Sequence, residues 1–375
     1  MKRTSSSHRL LGGRLPRNQI TPDYALRGAI TAREQLANLN NTRFATLAEL
    51  RMAVSGPCRA YYTAAAVSRR RELDDQDRAA LLDVLFPLRA SIERSTVHAL
   101  NRVDDAKEVL QTACGPSFFG ASQKQGVSIR YPLLTCTPTA RCAGGCYGHD
   151  GRDRELHLVV RGALNYWLGA RWEQGTAAAR ADLLRDLGRA VSRAVRLARL
   201  DADNAAASGF VREPRIRFAH VGEMAATPHF TNALATEIKR VDPGIACVIY
   251  TRHPNARLLD ADKLRVNFTI ESADDARIRY VPPHARIVSS AWDGQIVPVA
   301  EVNFLEHHVE KHATAYGQQN NNICPVTSGH GLRSCDSARC EKCFRAPSSS
   351  RSVPLTFGGH ASAALSEGGL PAAHA

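Results

Sequence analysis

No window of this sequence approaches the ~18 consecutive apolar residues of a membrane-spanning helix, which excludes a helical integral membrane protein. The N-terminal stretch, MKRTSSSHRLLGGRLPRNQ, has positive charge but neither an apolar core nor a cleavage-site pattern, so it does not read as a secretory leader. There is no P-loop, no dinucleotide glycine fingerprint opening a helix, and no nucleophile elbow. Nucleotide hydrolysis and ordinary hydrolase chemistry are therefore set aside. Acidic charge is also scarce: 36 Asp and Glu stand against 49 Lys and Arg, for a formal net charge of +13. That imbalance suits a nucleic acid or another polyanion. It is equally what an arginine- and alanine-rich composition produces with no such partner, because the excess is spread along the chain.

The chain is 44% apolar and 23% charged, proportions of a globular protein rather than a disordered one. Its 375 residues suffice for one large domain or two ordinary ones. With neither span nor leader, the expected compartment is the reducing cytoplasm, with no membrane partner. Ten cysteines in that setting point to metal ligation or chemistry rather than to disulfides.

Residues 1–22 read as a flexible lead-in and 23–115 as a helical extension. In the latter, Leu81, Leu82, Leu85, Leu88 and Ile92 recur at helical spacing; Val97, Leu100, Val103 and Val109 continue it in a following helix. The character changes at Gly115-Pro116. An extended run over Val127–Leu134 leads into the first cysteines. Two amphipathic helices follow, one through Leu156, Val159, Val160 and Leu164, the other through Leu183, Leu187, Val191 and Leu200. Short β-branched runs at 216–221, 247–250, 264–270 and 286–290, with a helix over 231–239 after the first, predict parallel βαβ units within 116–310. Function in such sheets lies beyond the carboxyl ends of the strands. Residues 311–345 form a cysteine-rich segment, and the Ser-, Ala- and Gly-rich 346–375 are expected to be disordered.

The cysteines fall into two groups. The first is Cys136-x5-Cys142-x3-Cys146, followed directly by Tyr147. Three thiolates on one short loop can converge on an inorganic centre and leave a coordination position open. Gly144 and Gly145 permit the backbone angles that such a loop needs. The second is Cys324-x10-Cys335-x4-Cys340-x2-Cys343, enough for a complete cluster or a structural zinc, with His330 also to hand. Sequence does not choose between those metals. Cys58, Cys114 and Cys247 lack ligand-like neighbours and read as small buried hydrophobes. His308 and His312, one helical turn apart, are not in the metalloprotease order and read as a solvated helix face.

The run Cys136-x5-Cys142-x3-Cys146-Tyr147, then His220-Val221-Gly222-Glu223, then Ile249-Tyr250-Thr251-Arg252, then cysteines from Cys324-Pro325, occurs in that order. Over roughly Val127–Phe344 this resembles the phage-associated family known as gene product eighty-eight. That family in turn is similar to radical S-adenosylmethionine (SAM) proteins in the order of its elements. The resemblance implies a [4Fe-4S] cluster on Cys136, Cys142 and Cys146, with SAM chelated at the open iron and cleaved reductively. It implies that Gly222-Glu223 corresponds to a Gly-Gly-Glu motif gripping the SAM amino group, with Val221 in place of the first glycine. Thr251, and Glu271, Ser272 and Asp274 after the next strand, would be strand-end contacts to SAM, and Tyr147 would shield the cluster and stack on the adenine. An electron donor is implied as partner. The cysteine spacing, x5 and x3, departs from the usual x3 and x2. On the residues alone Tyr147 can be core, Gly222 a helix-entry turn and Glu223 a carboxylate at a helix start.

The expected architecture is α/β: a partial (βα) barrel with a parallel sheet, an α-helical N-terminal extension and a cysteine-rich C-terminal segment. The expected function is SAM cleavage at the three-cysteine cluster, with a second cluster or zinc at Cys324, Cys335, Cys340 and Cys343. The alternative is a non-enzymatic, zinc-stabilised nucleic-acid-binding protein of a phage or mobile element.

Overall fold

The computed structural model describes residues 20–122, 126–139, 142–143, 146–149, 154–272, 274–283, 285–291, 300 and 302–305. The second cysteine group, the His308–His312 pair and both chain ends lie outside the described residues.

Four helices come first: α1 (Pro22–Leu39), α2 (Leu47–Val67), α3 (Asp75–Leu100) and α4 (Ala106–Ala113). Each begins where a side-chain oxygen caps a free backbone N–H. Thr21, Thr46, Asp74 and Asp105 serve in turn. Val97 and Leu100 fall within α3 itself, so the periodicity that suggested a second helix belongs to one long helix; Val103 lies in the turn that follows.

The remainder is α/β. Strands β1 (Phe119–Ser122), β2 (Gly126–Ile129), β3 (Arg215–Phe218), β4 (Ala246–Thr251), β5 (Arg265–Ile270), β6 (Arg286–Ala291) and β7 (Val302–Leu305) form one sheet in sequential order. β1 and β2 make an antiparallel hairpin, and every later neighbour is parallel. Helices α5 (Leu156–Gln174) and α6 (Ala177–Ala207) connect β2 to β3, and α7 (Pro228–Val241) connects β3 to β4. The predicted strands and helices occur close to the expected places. The extended run is shorter than expected, because β2 stops at Ile129 and a 3-10 turn occupies Leu133–Thr135.

A parallel order without reversal, combined with right-handed crossovers, puts the connecting helices on one face of the sheet. The strand sequences agree. β3 reads RIRF and β5 reads RVNFTI, so apolar and polar residues alternate. Ile216, Phe218, Ile249, Val266 and Phe268 join one continuous core with residues of α1–α7, so the N-terminal helices share the core of the sheet. α3 packs on α5 and on the Leu133–Thr135 turn. Leu200, placed on the buried face of α6 by its spacing, is instead exposed; Ala198 and Ala202 face inward there. Cys58, Cys114 and Cys247 are buried among apolar side chains. No helix among the described residues is long and apolar enough to cross a membrane.

Candidate metal centre

The strand ends meet the cysteine loop at the carboxyl edge of the sheet. Pairing between β2 and β3 continues past the strands, through His220 N–H to the Ile129 carbonyl (2.7 Å) and Tyr131 N–H to the Val221 carbonyl (2.8 Å). Gly222 then crosses directly over Tyr131-Pro132. Its φ is +77°, and a Cβ there would lie 2.5 Å from the Pro132 oxygen. Only glycine fits both the angle and the approach. Ala219, three residues earlier, also has positive φ, at 59°. Strain at the end of β3 thus coincides with the turn that aims Glu223.

Glu223 is buried. Its N–H donates to Thr135 Oγ1 (2.8 Å), tying it to the turn that presents Cys136. It stands at the N-cap of the following turn, Met224–Ala226, but its side chain makes no capping hydrogen bond there. Instead Oε1 accepts the Arg252 N–H (3.2 Å), and the carboxyl also bonds with Thr251. Oε2 is buried with no hydrogen-bond partner. Burial pushes the carboxyl up to about 7, against the lowering effect of Thr251, Arg252 and Arg277.

The thiols of Cys136, Cys142 and Cys146 share this space. Burial is the main force raising all three. Cys136 is raised further by Glu223, Cys146 and Cys142, and Cys146, at about 12, by Cys142. Thiols held protonated in this way make poor nucleophiles, whereas a metal would displace their protons. The three are near enough to influence one another. Yet among the described residues no three His, Cys, Asp or Glu side chains converge at single-ion spacing. Sulfurs on one tetrahedral zinc, at ~2.3 Å each, would stand only ~3.8 Å apart.

Glu271, at the end of β5, anchors the loop. Its Oε1 accepts both Thr139 Oγ1 (2.6 Å) and Arg252 Nη1 (2.6 Å), while Thr139 Oγ1 accepts the Cys142 N–H (3.1 Å). Thr251 is buried beside Glu223 and accepts the His253 N–H. Ser272 is not part of this group: it is exposed and bonds with the Asp274 carboxyl. Tyr147 opens the 3-10 turn Tyr147–His149, directly after Cys146.

The helical region supplies residues that sequence reading passed over. Arg89 and Glu93, paired one turn apart on α3, are both buried. Glu93 Oε2 accepts the Leu134 N–H (2.9 Å) and so holds the turn before Cys136. Arg89 lies over the Tyr61 ring, 5.2 Å from its centroid. Tyr61, from α2, hydrogen-bonds His149 Nδ1 (2.7 Å) just after Cys146. Burial, then Arg89 and Arg69, pushes the buried His149 down to about 3, so it is neutral and shaped by Tyr61 and Phe86. One signal was available in the sequence: Arg89 and Glu93 interrupt the apolar stripe of Leu81, Leu85, Leu88 and Ile92, where a charged pair must be matched.

No family model, no curated protein and no solved structure matches the chain.

Proposed function

We propose that Cys136, Cys142 and Cys146 hold a [4Fe-4S] cluster and that the chain carries out radical-SAM-like chemistry beside it. The observation that carries this reading is the buried, unpartnered Oε2 of Glu223, whose backbone N–H is tied to the Leu133–Thr135 turn that leads into Cys136. A carboxylate oxygen without a donor in a buried site awaits one, and an ammonium group of a cofactor provides it. Three cysteines on one loop suit a polynuclear centre, in which each thiolate binds a different iron and one iron stays open. When bound, the cluster would supply the electron that cleaves SAM.

The chain's own part is placement. Gly222 lets the chain cross closely over Tyr131-Pro132, Glu223 and Thr251 would supply polar contacts to the cofactor, and the Arg252–Glu271 pair fixes the loop through Thr139. The sequential parallel sheet supports an arc of a (βα) barrel, and the family resemblance supports the cysteine-rich C-terminal segment as a second cluster or zinc site. The protein would work in a reducing cytoplasm with an electron donor.

Metal analysis tests the reading. Anaerobically purified protein should be brown and contain iron with acid-labile sulfide, and Cys142→Ala should lose one cluster while keeping any C-terminal metal. Reduced protein with SAM should yield 5′-deoxyadenosine. Colourless protein with stoichiometric zinc and no sulfide would favour the zinc-stabilised nucleic-acid-binding alternative instead.

A further inference from the structure

The strands carry Arg215, Arg217, Arg265 and Arg286 and no acidic residue. Register puts Ser128, Arg217, Val248 and Arg265 in one row across the sheet, and Tyr250, Asn267 and Arg286 in the next. Alternation turns these rows away from the helix-covered face that holds Ile216, Phe218, Ile249 and Phe268. Continuing along the strands, Arg252 follows Tyr250 by one step just past the end of β4, and Glu271 follows Asn267 by two, through Thr269, just past the end of β5. The polar rows therefore lead toward the thiol site.

Arg217 is the informative member. It is only 8% exposed. Its register neighbour on β4 is Val248, yet its guanidinium lies 4.6 Å from the Tyr250 ring centroid, so the side chain leans toward the carboxyl edge. Nε has no hydrogen-bond partner, and among the described residues no carboxylate pairs with this side chain. Nearby cations are treated differently: Arg265 is held by Glu213 (2.8 Å) and Arg252 by Glu271 (2.6 Å). A buried cation without a counter-ion is costly, and a ring face compensates only in part. We infer that Arg217, its guanidinium over the Tyr250 ring, receives an oxyanion of the substrate, a phosphate or a carboxylate, on the face of the sheet that leads toward the cluster site. A guanidinium fork suits either group.

That the anion belongs to a substrate rests on the cluster reading; iron and sulfide analysis of the same sample reports on that reading separately. The experiment is thermal unfolding of the full iron-loaded chain, titrated with pyrophosphate in one arm and succinate in the other, at constant ionic strength. At least one anion should raise Tm saturably by mass action, and the arm that does so identifies the group. Arg217→Met should raise the half-saturating concentration tenfold or more, with Arg217→Lys intermediate. Without anion, Arg217→Met should melt at or above the wild type, because it keeps the apolar stem and removes the uncompensated charge. The inference fails if neither anion acts saturably or if Arg217→Met binds as the wild type does. It also fails if anion-free Arg217→Met melts several degrees lower, since Arg217 would then be a structural partner of Tyr250. Loss of the anion effect on saturation with SAM would assign the site to the cofactor and overturn the substrate assignment.

Discussion

Replacing Glu93 by leucine should be among the most damaging single changes outside the cysteines. The carboxylate is fully buried, pairs with Arg89 at 1% exposure, and accepts the Leu134 N–H. Removing one member of a buried pair strands the other charge at a cost of ~3–5 kcal/mol. The orphaned Leu134 N–H adds ~1–3 kcal/mol, with overlap between the two. Against a total stability of ~5–15 kcal/mol, Glu93→Leu should leave a barely folded protein. The double variant Arg89→Met/Glu93→Leu removes both charges and retains volume. It should lose only the Leu134 contribution, ~1–3 kcal/mol, and so recover at least ~2 kcal/mol relative to the single change. Arg89→Met alone should be milder than Glu93→Leu, since burial already raises the Glu93 carboxyl and a proton can neutralise it. Urea unfolding followed by circular dichroism measures all four proteins, with stability read from midpoints at unchanged slope. The reasoning is refuted if Glu93→Leu lies within ~1 kcal/mol of wild type, or if the double variant is no better than the single.

Two buried groups should give opposite pH dependences. Glu223, raised from 4.5 to about 7, holds a proton in the native state that the unfolded chain has lost, so its contribution falls as pH rises through that window, by roughly 3 kcal/mol in all. His149, lowered from 6.5 to about 3, stays neutral while the unfolded chain takes up a proton, so its contribution falls as pH drops below 6.5. Between pH 4.5 and 6.5 the two oppose each other. Metal-free wild type should therefore be less pH-sensitive there than either variant: His149→Gln should gain stability on acidification and Glu223→Gln should lose it, with parallel curves in urea titrations counting against both assignments. Gly222→Ala should cost roughly 3 kcal/mol or more, from positive φ and overlap with the Pro132 carbonyl, and a Tm within a degree of wild type would contradict that. Thr139→Val should cost ~1–3 kcal/mol and lower iron incorporation, because it releases both Glu271 and the Cys142 N–H; unchanged iron content would argue that the loop is held elsewhere.

Much of the frame was legible in sequence because its signals are local. The helix starts at Thr21, Thr46, Asp74 and Asp105 are capping chemistry, and β3 to β6 announce themselves by β-branched runs at βαβ spacing. The cysteine loop stands out by residue type and spacing, and the resemblance pointed to Gly222, Glu223, Thr251 and Glu271, which the fold does gather at one edge. What could not be read was set by contacts far apart in the chain. That Glu223 is buried with one oxygen unmet follows only from the fold, where Thr135 takes its backbone N–H and Arg252 donates to its carboxyl. Ser272, one residue from Glu271, is exposed in the bend that follows β5. Tyr61, Arg89 and Glu93 precede the cysteines by tens of residues, and only packing of α2 and α3 against the loop makes them its floor. Sequence by itself determined which residues could ligate and which segments form helices and strands, because those are properties of residue type and local spacing. Tertiary structure decided which carboxylates are buried, which arginines lack a counter-ion and which turns are clamped, because burial and pairing exist only once distant segments meet.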